Sequence, residues 1–340
     1  MGRVQVTIKD IARRLNISTS TVSRALNNHP DINKTTKEAV RDLAKELKYE
    51  PNTVALNLRN QKTNTIGVLV PEIANHFFST AISGIQEVAY EAGYHVLIAQ
   101  SNESSEREKL NTRALLASRV DGMIAAISME TETFDHFQEI MDKGVPLVLF
   151  DRINSDLKTS TVVVDDFEGA FQAVEHLIAT GHRRIAHIAG PANLTNSQQR
   201  LKGYREALHK HHIPIDETLI AHSDFSQENA SKVAEKLLQA SSLPDAFFCV
   251  NDRVAIGAML AVKAAGLHIP RDIALVGFNN QPVTAIMEPP ISSVSQPAYD
   301  MGKAAARILF NQVLEPSNIY TLENLVLKTH LVVRHSSGIK

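Results

Sequence analysis

From Thr65 onward the chain alternates short apolar runs with longer amphipathic stretches, and this alternation leaves few folds open to it. The runs TIGVLVP (65–71), YHVLIAQ (94–100), DGMIAAI (121–127) and VPLVLFD (145–151) have strand length, and helical periodicity fills the gaps near 78–92, 105–118 and 132–143. Strands apolar on both faces and separated by helices pack as a parallel sheet covered on each side. The pattern then restarts with TVVVDD (161–166), RRIAHIAG (183–190), DAFFCVN (245–251) and DIALVGF (272–278), with helices near 168–180, 197–211, 227–240 and 253–265. Two rounds predict two lobes. Ligands of such sheets bind beyond the carboxyl ends of the strands, so the space between the lobes is the expected cleft. After ISSVSQP (291–297), a helix over 299–314 and a last strand over 325–333 would complete the sheets.

The first 62 residues follow a different pattern. In TIKDIARRL (7–15), Ile8, Ile11, Ala12 and Leu15 recur at helical spacing, and Thr7 with Asp10 three places on resembles a capping pair. Asn16 suits the left-handed conformation of a sharp helix exit. Ser18 can cap a second helix whose Val22, Ala25 and Leu26 face the first. Thr19, Ser20, Ser23, Arg24 and Asn27 are then left facing outward, for solvent or for a ligand. Arginine grips guanine in two places, and hydroxyls bond base edges or phosphate oxygens. Two-helix turns also occur in proteins that never meet DNA, so a merely solvated polar face is the alternative. A third helix is predicted over 34–48, with Asn33 as cap and Ala39, Val40, Leu43 and Leu47 on one face. Pro51 can open a short helix ending near Arg59, which in water would need support from DNA and a second copy of itself.

Charge separates the same two regions. The net charge is −2, yet residues 1–62 hold 12 Lys and Arg against 6 Asp and Glu, a balance of +6 that leaves −8 for the rest. A basic head on an acidic body suits a DNA-binding module joined to a domain that does not bind DNA. No apolar run approaches the roughly 20 residues of a membrane span, and MGRVQVTIKD has no signal region, so the cytoplasm is the expected compartment. The lone Cys249, in AFFCV, reads as a buried inert thiol. The local signatures of nucleotide enzymes, serine hydrolases and zinc proteases are absent, so neither an enzyme nor a cofactor is expected. The histidines of HKHH (209–212) read as cations at a helix end rather than a metal site, and His182 as a helix-end residue rather than a base.

The segments VTIKDIARRLNISTSTVSRALN, KYEPNTVALNLR, TIGVLVPEIANHFFS, TGHRRIAHIAGP, NDRVAIGAM and DIALVGFNN resemble the lactose-repressor (LacI/GalR) family of bacterial transcription regulators. They cover nearly the whole chain. The resemblance implies an α/β protein in three parts. A three-helix helix-turn-helix headpiece (1–48) and a hinge helix with linker (49–62) precede a two-lobed, periplasmic-binding-protein-like body of parallel sheets wound by helices (63–340). Lobe 1 would hold about 63–162 plus 294–323, and lobe 2 about 163–293 plus 324–340. Carried over by position, it puts Thr19, Ser20 and Arg24 at base edges of the major groove, and Ser18, Ser23, Asn27 and Thr36 on phosphates. Ala55 and Leu58 fall where the hinge helix enters the minor groove, with Leu58 as an apolar wedge that kinks the duplex.

The same resemblance implies an effector pocket of Phe77, Phe78, Asp151, Arg152, Arg200, Phe225, Asn251, Asp252 and Asn279. Aromatic faces, a planar guanidinium and short amides or carboxylates suit a polyhydroxylated ligand. Phe77 and Asp252 in particular also read as braces of the fold. Where the family commonly has an aspartate this chain has Asn279, an amide that donates as well as accepts. A sugar phosphate, a sugar acid and an uncharged glycoside all stay open, with Arg152 and Arg200 inclining the pocket toward an anion. The expectation is a repressor that binds double-stranded, near-palindromic operator DNA as a homodimer under control of a sugar or sugar derivative. Dimers rather than larger assemblies are expected because only RHSSGIK follows the last strand. The competing reading, a periplasmic-type carbohydrate-binding protein without a regulatory role, needs export and no headpiece.

Overall fold

The computed structural model describes residues 6–49, 62–314 and 321–338, and the chain divides into two compact units between Thr63 and Asn64. The first unit contains α1 (Ile8–Leu15), α2 (Thr19–Leu26) and α3 (Lys34–Glu46). Both the backbone N–H and the hydroxyl of Thr7 donate to Asp10 Oδ2, at 2.9 and 2.7 Å, which closes the start of α1. Asn16 leaves that helix at φ 52°, in the left-handed region. Ser18 and Asn33 accept the backbone N–H of Thr21 and Thr36 and so cap α2 and α3. Ile11, Ala12, Val22, Ala25, Val40 and Ala44 form the core. Ala39 stays exposed, contrary to expectation: Ala44 shares Val40's face four residues on, whereas adjacent helical residues point about 100° apart. Ala55 and Leu58 lie outside the described residues.

The second unit is built on two six-stranded sheets. The first contains β1 (Thr65–Val70), β2 (His95–Gln100), β3 (Gly122–Ala125), β4 (Leu147–Phe150), β5 (Ser160–Val164) and β11 (Asn324–Leu327), in the order β11-β5-β4-β3-β1-β2. The second contains β6 (Ile185–Ala189), β7 (Ile220–His222), β8 (Ala246–Cys249), β9 (Ala274–Asn279), β10 (Ser292–Ser295) and β12 (His330–Val332), in the order β12-β10-β9-β8-β6-β7. Every pairing is parallel except that of β10 with β12. Helices α4 (His76–Glu91), α5 (Ser105–Ala117), α6 (Asp135–Asp142) and α11 (Ala298–Leu314) go with the first sheet. The second carries α7 (Asp166–Ala179), α8 (Thr195–Lys210), α9 (Gln227–Leu237) and α10 (Asp252–Ala264).

The strand expected over 325–333 is two strands, one in each sheet. The chain therefore passes between lobes near 165, 296–297 and 328–329, a few residues beyond the expected divisions. Packing explains the shift: Val162 and Val164 belong to the core that holds Phe78, Phe150 and Met301, and β11 pairs with β5. On this same side of the sheet α4 and α11 pack closely, and Gly302 permits it, since a Cβ there would collide with the Ala81 carbonyl. Strand order reverses between β1 and β3, and again between β6 and β8. A crevice opens at the carboxyl ends of strands at such reversals. The segments after β1, β4, β6, β8 and β9 therefore converge on the cleft.

Candidate functional site

In the first unit, burial of Val22 and Ala25 turns the other side of α2 outward. Thr19, Ser20, Arg24 and Asn27 are exposed, and Ser23 is half-buried between the two faces. Ser18 Oγ bonds the hydroxyls of Ser20 (2.7 Å) and Thr21 (2.8 Å), and Asn27 Nδ2 donates to the Ser23 carbonyl (3.0 Å). Thr36, in the first turn of α3, is half-buried with its N–H bound to Asn33. The result is a row of short hydroxyls and amides with one long cation.

The cleft in the second unit is assembled from distant segments. Asn75 caps α4 by accepting the Phe77 N–H (3.0 Å), which places Phe77 and Phe78 in the first turn, both buried. Phe78 meets Phe150 edge to face at 6.1 Å. Just past Phe150 the chain turns so tightly that the Arg152 N–H donates to the Phe150 carbonyl (2.6 Å), with Asp151 at φ 59°. Such a turn is strained, and it directs consecutive side chains into one place. Arg152 Nη1 donates to Glu103 Oε2 (2.7 Å), and its guanidinium faces the rings of Phe78 (5.7 Å) and Phe225 (5.1 Å). Burial raises the Asp151 carboxyl above its usual range, against the neighbouring Arg152 and Arg200 and a hydrogen bond with Asn196.

Arg200, on α8, is 3% exposed. Its Nε and Nη2 donate to Asp166 Oδ1 at 2.8 and 2.7 Å, its Nη1 to the Val250 carbonyl at 2.6 Å, and its plane lies 3.7 Å from the Phe278 ring centre. Burial lifts Asp166 to about 6 in spite of this partner. Asp252 turns inward at 0% exposure, accepting the Gln281 N–H (2.6 Å) and the Ser293 hydroxyl (2.5 Å), and burial pushes it up to about 7. Asn251 caps α10 by accepting the Val254 N–H at 2.9 Å. Asn279, at φ 104°, has a buried Oδ1 without a hydrogen-bond partner. With Phe77, Thr80 and Gln296 it lines a pocket of about 200 Å³.

The structure thus brings Phe78, Asp151, Arg152, Arg200 and Phe225 into one cluster and places Phe77 and Asn279 at a second pocket. Asn251 and Asp252 cap and brace instead. The charge of the cluster is more balanced than its two arginines alone imply. Glu103 and Asp166 already neutralise the two arginines, and Asp151 gives the cluster three carboxylates against two guanidiniums. Sequence reasoning missed Glu103, Asp166, Asn196 and Gln296. Of these, Asp166 had a signal in the doubled acid ending TVVVDD, and Gln296 in the one amide of SVSQP. Cys249 is buried and its thiol is raised well above the usual range, which makes it unreactive.

A helix-turn-helix unit with an outward polar helix, joined to a two-lobed body with a charged and aromatic cleft, defines a ligand-sensing DNA-binding regulator. Residues 7–52 match the family described as bacterial regulatory proteins, lacI family, and residues 174–337 match a periplasmic binding protein-like domain. The chain is 36% identical over 307 residues to the HTH-type transcriptional repressor CytR of Escherichia coli (strain K12), covering 90% of this chain and 89% of that one. Among solved structures it resembles the lac repressor dimer bound to operator and the anti-inducer ONPF (TM-score 0.86, 27% identity, 98% and 99% of the two chains covered). It also resembles a complex of the transcriptional regulator CelR with cellobiose (TM-score 0.75, 32% identity, 98% and 100% covered). The chain belongs to the lacI family of bacterial regulatory proteins. It is a DNA-binding transcriptional regulator of the repressor type, not an enzyme. Among the described residues no helix is long and apolar enough to cross a membrane.

Proposed function

We propose that this regulator binds a near-palindromic operator as a homodimer, in the cytoplasm, and answers to an uncharged sugar or sugar derivative held between its lobes. The observation that carries the DNA half is the outward face of α2. Thr19, Ser20 and Arg24 would read base edges there, while Ser18, Ser23, Asn27 and Thr36 hold phosphates. Residues 1–48 would act as headpiece, 49–62 as hinge and 63–340 as body, with Ala55 and Leu58 entering the minor groove. The likeness to the lac repressor dimer on operator supports two-fold binding. So does β2, an edge strand with Leu97 and Ile98 exposed, since natural proteins cover apolar edges.

For the effector, the likeness to the CelR–cellobiose complex supports a sugar. The paired arginines and the carboxyl and amide groups of Asp151, Asn279 and Gln296 suit hydroxyl donors better than a negative charge. Control then requires that the effector bind one arrangement of the lobes more tightly than the other. Selection of duplexes from a random library with the full chain tests the DNA half: a two-fold symmetric consensus is expected, and no enrichment would reject it. Leu58→Ala should weaken binding to the selected duplex while leaving ligand binding intact. A thermal-shift panel of neutral sugars and their phosphates tests the effector half. Stabilisation by a neutral sugar is expected, and stabilisation by phosphates alone would reject it.

A further inference from the structure

We propose that Glu72 and Arg253 form an electrostatic latch between the lobes, so that the body shifts toward separated lobes as ionic strength rises. The latch goes beyond the proposed effector response, because it works without any ligand. Arg253 Nη1 donates to Glu72 Oε2 at 2.9 Å, joining residues 181 apart in the chain. Glu72 follows β1 in the first lobe, and Arg253 is the second residue of α10 in the second.

Each end is set in place by contacts within its own lobe. In the first, the Asn75 N–H donates to the Glu72 carbonyl (3.3 Å) and the Ile73 N–H to Gln100 Oε1 (2.8 Å), which fixes the turn. In the second, both residues before Arg253 are committed: Asn251 caps α10, and Asp252 holds the Gln281 N–H and the Ser293 hydroxyl. The backbone thus presents the two charges whether or not they meet. A cation in the first turn of a helix is opposed by the helix dipole, so Arg253 gains more from an acidic partner than it would in mid-helix.

Salt singles this contact out. The Arg253 and Glu72 side chains are 37% and 34% exposed, so water and ions reach the pair. Screening is strong for such pairs and weak for buried ones. Asp151 and Arg200 also attract each other across the lobes, but both are buried. Two further contacts across the lobes join neutral groups: Asn193 Nδ2 donates to the Met129 carbonyl (2.8 Å), and Thr195 Oγ1 to the Ile153 carbonyl (2.9 Å). A part-exposed pair shifts an equilibrium by only about two- to five-fold. That is enough to bias a body whose lobes exchange between two arrangements of similar free energy, and it would tune the range over which a ligand acts.

Spin labels at Lys143→Cys and Lys236→Cys, both exposed and on opposite lobes, report the inter-lobe distance in the full chain. Native Cys249 is buried from the label, and dilution with unlabelled chain keeps the measured pair within one molecule. Neither Glu72 nor Arg253 belongs to a cap or a core, so their variants should keep the fold. Glu72→Lys sets like charges against each other and should shift the distance distribution. Raising salt from about 50 mM to about 500 mM should shift the wild type in the same direction, changing the ratio of the two populations about two- to five-fold. Glu72→Gln should abolish that salt response, and Glu72→Lys combined with Arg253→Glu should restore the wild-type distribution. A Glu72→Lys distribution identical to the wild type, or a double reversal that shifts as far as the two single changes together, would overturn the latch. A salt response that survives in Glu72→Gln would overturn it as the source of the salt effect.

Discussion

The outward face of α2 and the cleft of the body use the same residue types in opposite ways. On α2, Arg24 and its neighbouring hydroxyls are exposed and stand on one short helix whose fold does not depend on them. In the cleft, Arg152 and Arg200 are buried and already paired, and removing either partner leaves an uncompensated charge in a low dielectric. Apart from the Ser18 cap, the exposed face can therefore change at little cost to folding, whereas the paired cleft residues cannot.

The largest test of that contrast is Arg200→Ala, which strands Asp166 among buried groups. It should lower stability to denaturant by about 3–5 kcal/mol, and a loss within experimental error would place Asp166 in contact with water. Next comes a pH effect at Asp252. Its folded value of about 7 lies above the ordinary 3.8, so its contribution is complete below about pH 4 and is lost as pH rises through 7. Asp252→Asn retains the acceptor for the Gln281 N–H and cannot ionise. Its stability relative to the wild type should rise between pH 4 and pH 8, and parallel pH profiles for the two proteins would contradict the assignment. Arg24→Ala should leave stability within about 0.5 kcal/mol of the wild type while losing about 1–3 kcal/mol of discrimination at one symmetric pair of operator positions. Smallest is Ser18→Ala, expected to destabilise the headpiece by about 1 kcal/mol through loss of the α2 cap, read by its melting separately from the body.

What could be read from sequence follows the same division. Caps at Ser18 and Asn33 depend on residues three places away, and helix faces repeat within a few turns, so the headpiece and nearly every body helix were legible. The two arginines were visible as well. Their partners were not, because Glu103 lies 49 residues from Arg152 and Asp166 lies 34 from Arg200, and only the closed fold brings them together. The inclination toward an anion was therefore drawn from the arginines without their acidic partners. The split of 325–333 into β11 and β12 was likewise hidden, since β11 pairs with β5 and β12 with β10, and pairing is a tertiary property. The three residues of β7 carry too little alternation to announce a strand.

We propose that the basic amino-terminal region neutralises phosphates while α2 supplies a few base contacts to operator DNA. Titration of the selected duplex with the full chain at two salt concentrations tests it most directly. Affinity should fall by roughly 10³-fold or more between about 50 mM and about 200 mM salt if six or more phosphates are contacted. An affinity that is flat across that range, or no duplex selected at either concentration, would contradict it.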